Sequence, residues 1–132
     1  MSPEELVAEA VAARRRAYCP YSRFPVGAAI LTKGGHVYRG CNVENVSSGL
    51  TMCAERVAAF AAVCSGETDW QALAVVTEDG SMPCGACLQV LAEFAGPDLS
   101  ILVAHADGRY RTWKLGELLP HPFASRLVKG DA

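Results

Sequence analysis

The 132-residue sequence contains no apolar run near the roughly 18 residues that a membrane span requires, so no membrane partner is expected. It also lacks an excess of positive charge: 12 Lys and Arg stand against 14 Asp and Glu, a net charge of −2. A polynucleotide partner needs a basic footprint, and none is expected on that balance. The start, Met1 to Glu5, is acidic and lacks the basic-then-apolar order of a secretory signal, which points to a cytoplasmic location. Internal repeats and low-complexity linkers are missing as well. What is present suffices for one folded unit: 51% apolar and 20% charged residues in a chain of single-domain length, residues 1–132.

The periodicities predict alternating helices and strands. Ser2, Pro3 and Glu5 form a capping-box pattern, and Leu6, Ala10, Ala13 and Ala17 recur at helical spacing, predicting a helix over 3–18. Arg14, Arg15 and Arg16 then fall in its last turns, where cations suit the negative end of the dipole. Residues 26–32 and 37–43 flank a Gly34-Gly35 turn and predict a hairpin. Residues 52–65 predict a buried helix with Val57, Phe60, Ala61 and Cys64 inward, and 72–77 a strand buried on both sides. A third helix is expected over 85–95, a second hairpin over 99–104 and 109–114, and short helices at 115–119 and 122–127. The order α-β-β-α-β-α-β-β predicts an α/β fold, a three-layer α/β/α arrangement around a central mixed five-stranded sheet.

Six cysteines stand at 19, 41, 53, 64, 84 and 87. Inside a cell they read as reduced thiols or metal ligands rather than disulfides. Cys19, Cys41 and Cys64 are expected to be small core or near-core residues, and His36, His105 and His121 solvated loop residues.

Cys84-Gly85-Ala86-Cys87 opens the third helix, and by itself this spacing fits a zinc half-site, a redox pair or coincidence. A zinc ribbon would need a second C-x-x-C, which the chain lacks. Cys53, at the start of the preceding helix, is the plausible third ligand. Three thiolates around zinc leave a fourth position open to water, which marks a catalytic site. Both ligand groups stand at helix N-termini, where free N–H groups favour thiolates. Glu55, two residues after Cys53, is placed to move protons to and from the activated water without ligating the metal. Arg56 is placed to donate hydrogen bonds to the sulfurs.

Cys53-Ala54-Glu55 with Pro83-Cys84-Gly85-Ala86-Cys87 resembles the zinc deaminase signature, with cysteine where other members use histidine. The chain is most similar to the small homotetrameric cytidine deaminases. Pro20-Tyr21-Ser22-Arg23-Phe24-Pro25-Val26-Gly27-Ala28-Ala29, Gly40-Cys41-Asn42-Val43-Glu44-Asn45 and Leu118-Leu119-Pro120-His121-Pro122-Phe123 resemble that family's motifs in their order. The resemblance implies one Zn2+ per subunit on Cys53, Cys84 and Cys87, with Glu55 as proton shuttle. It implies Phe24 against the pyrimidine, Asn42 and Glu44 on the ribose hydroxyls, the backbone at Ala54 reading the base, and Phe123 reaching a neighbouring subunit's site. The implied reaction converts cytidine, and 2′-deoxycytidine, to uridine or deoxyuridine and ammonia in pyrimidine salvage. The residues add support of their own: Asn42 and Glu44 lie two apart after a strand and so share a face.

Three positions depart from the family pattern. Leu88 stands where an arginine usually serves the zinc thiolates, Ser47-Ser48 where a tyrosine is frequent, and Pro25 follows Phe24. These bear on rate and substrate preference. The alternative is a deaminase of a modified cytosine nucleoside such as blasticidin S, against which Arg56 argues, because those relatives lack an arginine after the glutamate. A structural zinc module is disfavoured by Glu55 and by the missing fourth ligand, and a polynucleotide editor by the charge.

Overall fold

The computed structural model describes residues 1–124, and its centre is a five-stranded sheet. The strands are β1 (Gly27–Thr32), β2 (Val37–Cys41), β3 (Trp70–Thr77), β4 (Ser100–His105) and β5 (Tyr110–Lys114), in the order β2-β1-β3-β4-β5. β3 and β4 are parallel and every other pairing is antiparallel, so the sheet is mixed as expected. The helices are α1 (Pro3–Arg14), α2 (Ala54–Cys64), α3 (Gly85–Phe94) and the short α4 (Leu115–Leu118). A single 3-10 turn covers Ser48–Leu50.

Alternation along the strands divides the core between two layers. Ala29 and Leu31 of β1, with Ala74 and Val76 of β3, pack on Leu6, Val7 and Ala10 of α1. Ala28, Ile30, Leu73 and Val75 face the other way, onto Ala58 and Ala62 of α2 and Leu88 and Leu91 of α3. This is the expected three-layer arrangement. Two glycines let helices approach the sheet closely. A Cβ on Gly27 would lie 2.1 Å from Ala10 O, and one on Gly40 would lie 2.4 Å from Ala54 O and Ala58 N.

Several local expectations are corrected. The Ser2 capping box is present in both directions, with Glu5 N donating to Ser2 Oγ and Ser2 N donating to Glu5 Oε1. The helix it starts, however, ends at Arg14 rather than near residue 18. Tyr18 is drawn away to pair with the chain after β2, its N–H donating to Asn42 O and its carbonyl accepting from Glu44 N. Arg14 does not merely face the dipole. Its Nε donates to Pro25 O at 3.0 Å and its guanidinium pairs with Glu78 at 3.2 Å.

The inward face of α2 is also not the one expected. Ala54, Glu55, Ala58, Ala59 and Ala62 are buried, whereas Val57 and Ala61 are half-buried and Phe60 and Cys64 are exposed. Close contact with Gly40 of β2 admits only small side chains on the sheet side, so the bulky ones turn out. Cys64 is thus not a core residue, while Cys19 and Cys41 are half-buried. Of the helix expected over 122–127, residues 122–124 are not helical and the remainder lies outside the described residues. No helix among the described residues is long and apolar enough to cross a membrane.

Candidate active site

The parallel pair β3–β4, joined through α3, brings the end of β3 and the start of α3 to one edge of the sheet. In open α/β sheets such carboxyl-end crevices are where ligands bind. The start of α2 arrives at the same edge. Cys53 is the N-cap of α2 and Cys84 the N-cap of α3, both with extended backbone, and Cys87 lies in the first turn of α3. The three sulfurs lie within 4.8 Å of one another, with Cys84 Sγ and Cys87 Sγ 3.5 Å apart. Zinc–sulfur bonds of ~2.3 Å in a tetrahedron need sulfurs roughly 3.8 Å apart, so the set fits a zinc ion. Among the described residues this metal-capable group has three members, and no fourth protein ligand completes it.

The electrostatics suit a cation. The Cys53 thiol is pulled down to about 5, first by a hydrogen bond from Cys87 and then by Arg56. The buried Cys87 thiol is pushed up, chiefly because it donates its proton to Cys53. Arg56 and the two helix N-termini thus favour negative charge on the sulfur cluster. A guanidinium nitrogen of Arg56 donates to Cys53 Sγ at 3.3 Å, and Arg56 Nε is buried with no partner.

Glu55 is 5% exposed and carries no hydrogen bond from another side chain among the described residues. Burial, first, and then the Cys53 charge raise its carboxyl to about 7. A carboxyl so poised accepts and releases a proton near neutral pH.

A cavity of about 270 Å³ opens over these groups. Cys53, Ala54, Glu55 and Cys84 form one part of its lining, and Phe24, Asn42 and Glu44 another. Larger hollows exist elsewhere, one of about 430 Å³ beside Leu119 and Pro122, whose lining holds no comparable set of reactive groups. Asn42 is buried, with Oδ1 accepting from Val26 N and Nδ2 donating to Phe24 O, both at 2.9 Å. Its amide keeps one donor and one acceptor position free. Glu44 Oε1 accepts from Tyr21 N at 3.0 Å and Ser22 N at 3.1 Å, and Oε2 accepts from the Ser22 hydroxyl. The Ser22 hydroxyl, first of these, holds the Glu44 carboxyl below the usual range.

The zinc-binding region of the cytidine and deoxycytidylate deaminases matches residues 1–103. The chain belongs to the cytidine deaminase family. A cytidine deaminase of Sporosarcina psychrophila is 46% identical over 126 residues, covering 94% of this chain and 93% of that protein. One from Mycobacterium tuberculosis is 51% identical over 109 residues, covering 81% and 78%. The crystal structure of the Burkholderia pseudomallei cytidine deaminase superposes with a TM-score of 0.90 at 46% identity, covering 93% of this chain and all of that one.

Within this cytidine deaminase framework, one expected site residue lies apart. Phe123 is 84% exposed and does not line the cavity; Gln89 clamps its backbone, accepting from its N–H at 3.2 Å and donating to its carbonyl at 2.8 Å. Leu88 is a core residue, packed with its neighbours on the α2–α3 side of the sheet. Sequence reasoning assigned no role to Ser22, Thr77, Ser81 or Met82, all of which line the cavity. Thr77 and Ser81 are tied together through Asp79 Oδ1, which accepts from both hydroxyls. The signal for Ser22 was its place inside the motif around Phe24. For Thr77, Ser81 and Met82 it was only proximity to Pro83-Cys84.

Proposed function

We propose that the chain is a zinc-dependent cytidine deaminase that hydrolyses cytidine, and 2′-deoxycytidine, to the uracil nucleoside and ammonia. The observation that carries this reading is the buried Glu55, bonded by no other side chain, beside three converging sulfurs with no fourth ligand among the described residues. Cys53, Cys84 and Cys87 would hold the metal, and Arg56 would offset their charge. Zinc, when bound, supplies the Lewis acidity that brings the pKa of water from 15.7 to about 7. Glu55 would take a proton from the attacking water and deliver it to ring N3, then take the second proton from the new C4 hydroxyl and hand it to the amino nitrogen, which leaves as ammonia. The carboxyl's raised affinity for protons matches both halves of that cycle. Phe24 walls the pyrimidine, the Ala54 backbone reads the base edge, and Asn42 and Glu44 take ribose hydroxyls through the positions their internal hydrogen bonds leave open.

The same reading makes residues 1–132 one catalytic unit acting in the cytoplasm on a small nucleoside, with neither nucleic acid nor membrane as partner. It assembles that unit as a homotetramer with one zinc per subunit and sites at the subunit interfaces. Support comes from apolar groups left in water: Val46 at 83% exposure, Leu50 at 69%, Phe123 at 84%, and Phe60 on the outer face of α2. Large apolar side chains exposed in this way suit burial against other copies.

The test is ammonia release from cytidine, 2′-deoxycytidine and blasticidin S by purified wild type and Glu55→Ala, with zinc measured in the same samples. Wild type is expected to turn over the two cytidines. Glu55→Ala is expected to keep its zinc and lose a hundredfold or more, roughly the scale of general acid–base catalysis. Turnover that survives in the variant removes Glu55 from the mechanism, and preference for blasticidin S moves the substrate assignment to the antibiotic class.

A further inference from the structure

Ser22 is exposed, yet its hydroxyl is bonded on both sides. It donates to Glu44 Oε2 and accepts from the Phe24 N–H at 3.0 Å. With Tyr21 N and Ser22 N both donating to Oε1, three of the roughly four lone-pair sites of the Glu44 carboxylate are filled. One acceptor position, on Oε2, is left for a ligand. Without the Ser22 hydroxyl that oxygen would be held only through its partner oxygen and would be free to swing.

The backbone around Ser22 is itself unusual. Arg23 has φ 57°, and among the described residues no other non-glycine residue has a positive φ. That conformation disfavours a residue with a Cβ. It closes the turn through Arg23 N donating to Cys19 O at 2.9 Å and folds the Phe24 N–H back onto Ser22 Oγ. Such strain persists where surrounding structure over-determines it, and it concentrates at ligand clamps. Ser22, Phe24 and Glu44 all line the same cavity.

We propose that Ser22 is a positioning residue whose single hydroxyl sets both the Glu44 carboxylate and the Phe24 segment, so that one turn registers the sugar and base ends of the nucleoside together. This rests on the reading of Glu44 as a ribose contact and Phe24 as the base wall. The hydroxyl acts on contacts made equally in ground and transition states, so its loss raises KM and leaves kcat largely alone.

The experiment compares cytidine with 2′,3′-dideoxycytidine, which lacks both ring hydroxyls, in the zinc-loaded wild type, Ser22→Ala, Ser22→Thr, Glu44→Gln and the Ser22→Ala/Glu44→Gln double variant. Ser22→Ala is expected to raise KM for cytidine about tenfold, the scale of one hydrogen bond to a charged group, with kcat little changed. The increase should be clearly smaller for the dideoxynucleoside. Ser22→Thr, which keeps a hydroxyl, should recover most of the loss, and the double variant should be worse on cytidine than Glu44→Gln only by the smaller loss that Ser22→Ala shows on the dideoxynucleoside, the share carried by the Phe24 segment. An unchanged KM in Ser22→Ala, while Glu44→Gln is impaired on cytidine alone, overturns the positioning role and leaves the Glu44 reading standing. Equal loss in Glu44→Gln on both substrates overturns the ribose reading, and the Ser22 role with it.

Discussion

At the scale of single residues, chemistry here depends on groups kept from what they would otherwise do. Three thiols are held close together, and Glu55 is buried with no hydrogen bond from another side chain among the described residues. Arg56 makes this tolerable. Hydrogen bonds to Cys53, first, and Cys87 raise its hold on its proton, and its cation stands against the charge gathered on the sulfurs. Arg56→Gln is therefore expected to weaken zinc retention about 10- to 100-fold, the usual cost of losing a group that supports metal ligands. Competition with a chromophoric chelator measures this, and unchanged affinity would remove Arg56 from the site's electrostatics. Cys53, Glu55, Cys84 and Cys87 were legible in the sequence because each stands within three residues of another member of the set or at a helix start. The tie between Ser22 and Glu44 was not, since it spans 22 positions and depends on how a strained turn folds.

At the scale of elements, α2 shows why helix positions are decided by their partners. Its larger apolar side chains suggested an inward face, yet alanines occupy that face because β2 meets the helix backbone at Gly40. The approach also sets the height at which Cys53 and Glu55 emerge at the helix start. Gly40→Ala would drive a Cβ to within 2.4 Å of Ala58 N and Ala54 O, both backbone atoms that cannot step aside. We expect a loss of roughly 1–3 kcal/mol, as for other overpacked cores, together with weaker zinc binding as α2 is pushed off the sheet. Chemical denaturation and zinc titration of the same variant check the two effects; full stability and full affinity would show that α2 accommodates the extra carbon. The early end of α1 follows the same logic. Helical spacing continued to Ala17, but pairing of Tyr18 with the chain after β2 prevailed over local preference.

At the scale of the whole molecule, long-range polar ties hold the layers in register at the end of the sheet opposite the site. Glu67, beyond α2, accepts hydrogen bonds from Thr32 at 2.7 Å and Tyr38 at 2.5 Å and pairs with His36 Nδ1 at 2.8 Å, fastening the β1–β2 hairpin to the α2–β3 connection. The Tyr38 hydroxyl, then Thr32 and His36, pull its carboxyl down to about 2 from an ordinary 4.5. A carboxyl whose folded pKa is depressed stabilises the fold above its unfolded pKa, and that stability is lost as pH falls through the folded value. Glu67→Gln should thus lower Tm at pH 7, and the gap from wild type should narrow as pH drops from about 5 toward 2. A gap independent of pH in thermal unfolding would rule out the charge on Glu67 as its source.

The succession of the main helices and strands, the three-layer class and the Cys53, Cys84 and Cys87 cluster could be read from the residues alone, because periodicity, capping and ligand spacing are local and survive without neighbours. Which face of α2 is buried, where α1 stops, that Asn42 and Glu44 bind particular backbone groups and the Ser22 hydroxyl, and that Phe123 stands away from this chain's own cleft were settled by packing. Those outcomes depend on contacts between segments tens of residues apart, whose energies appear only once the sheet has brought them together.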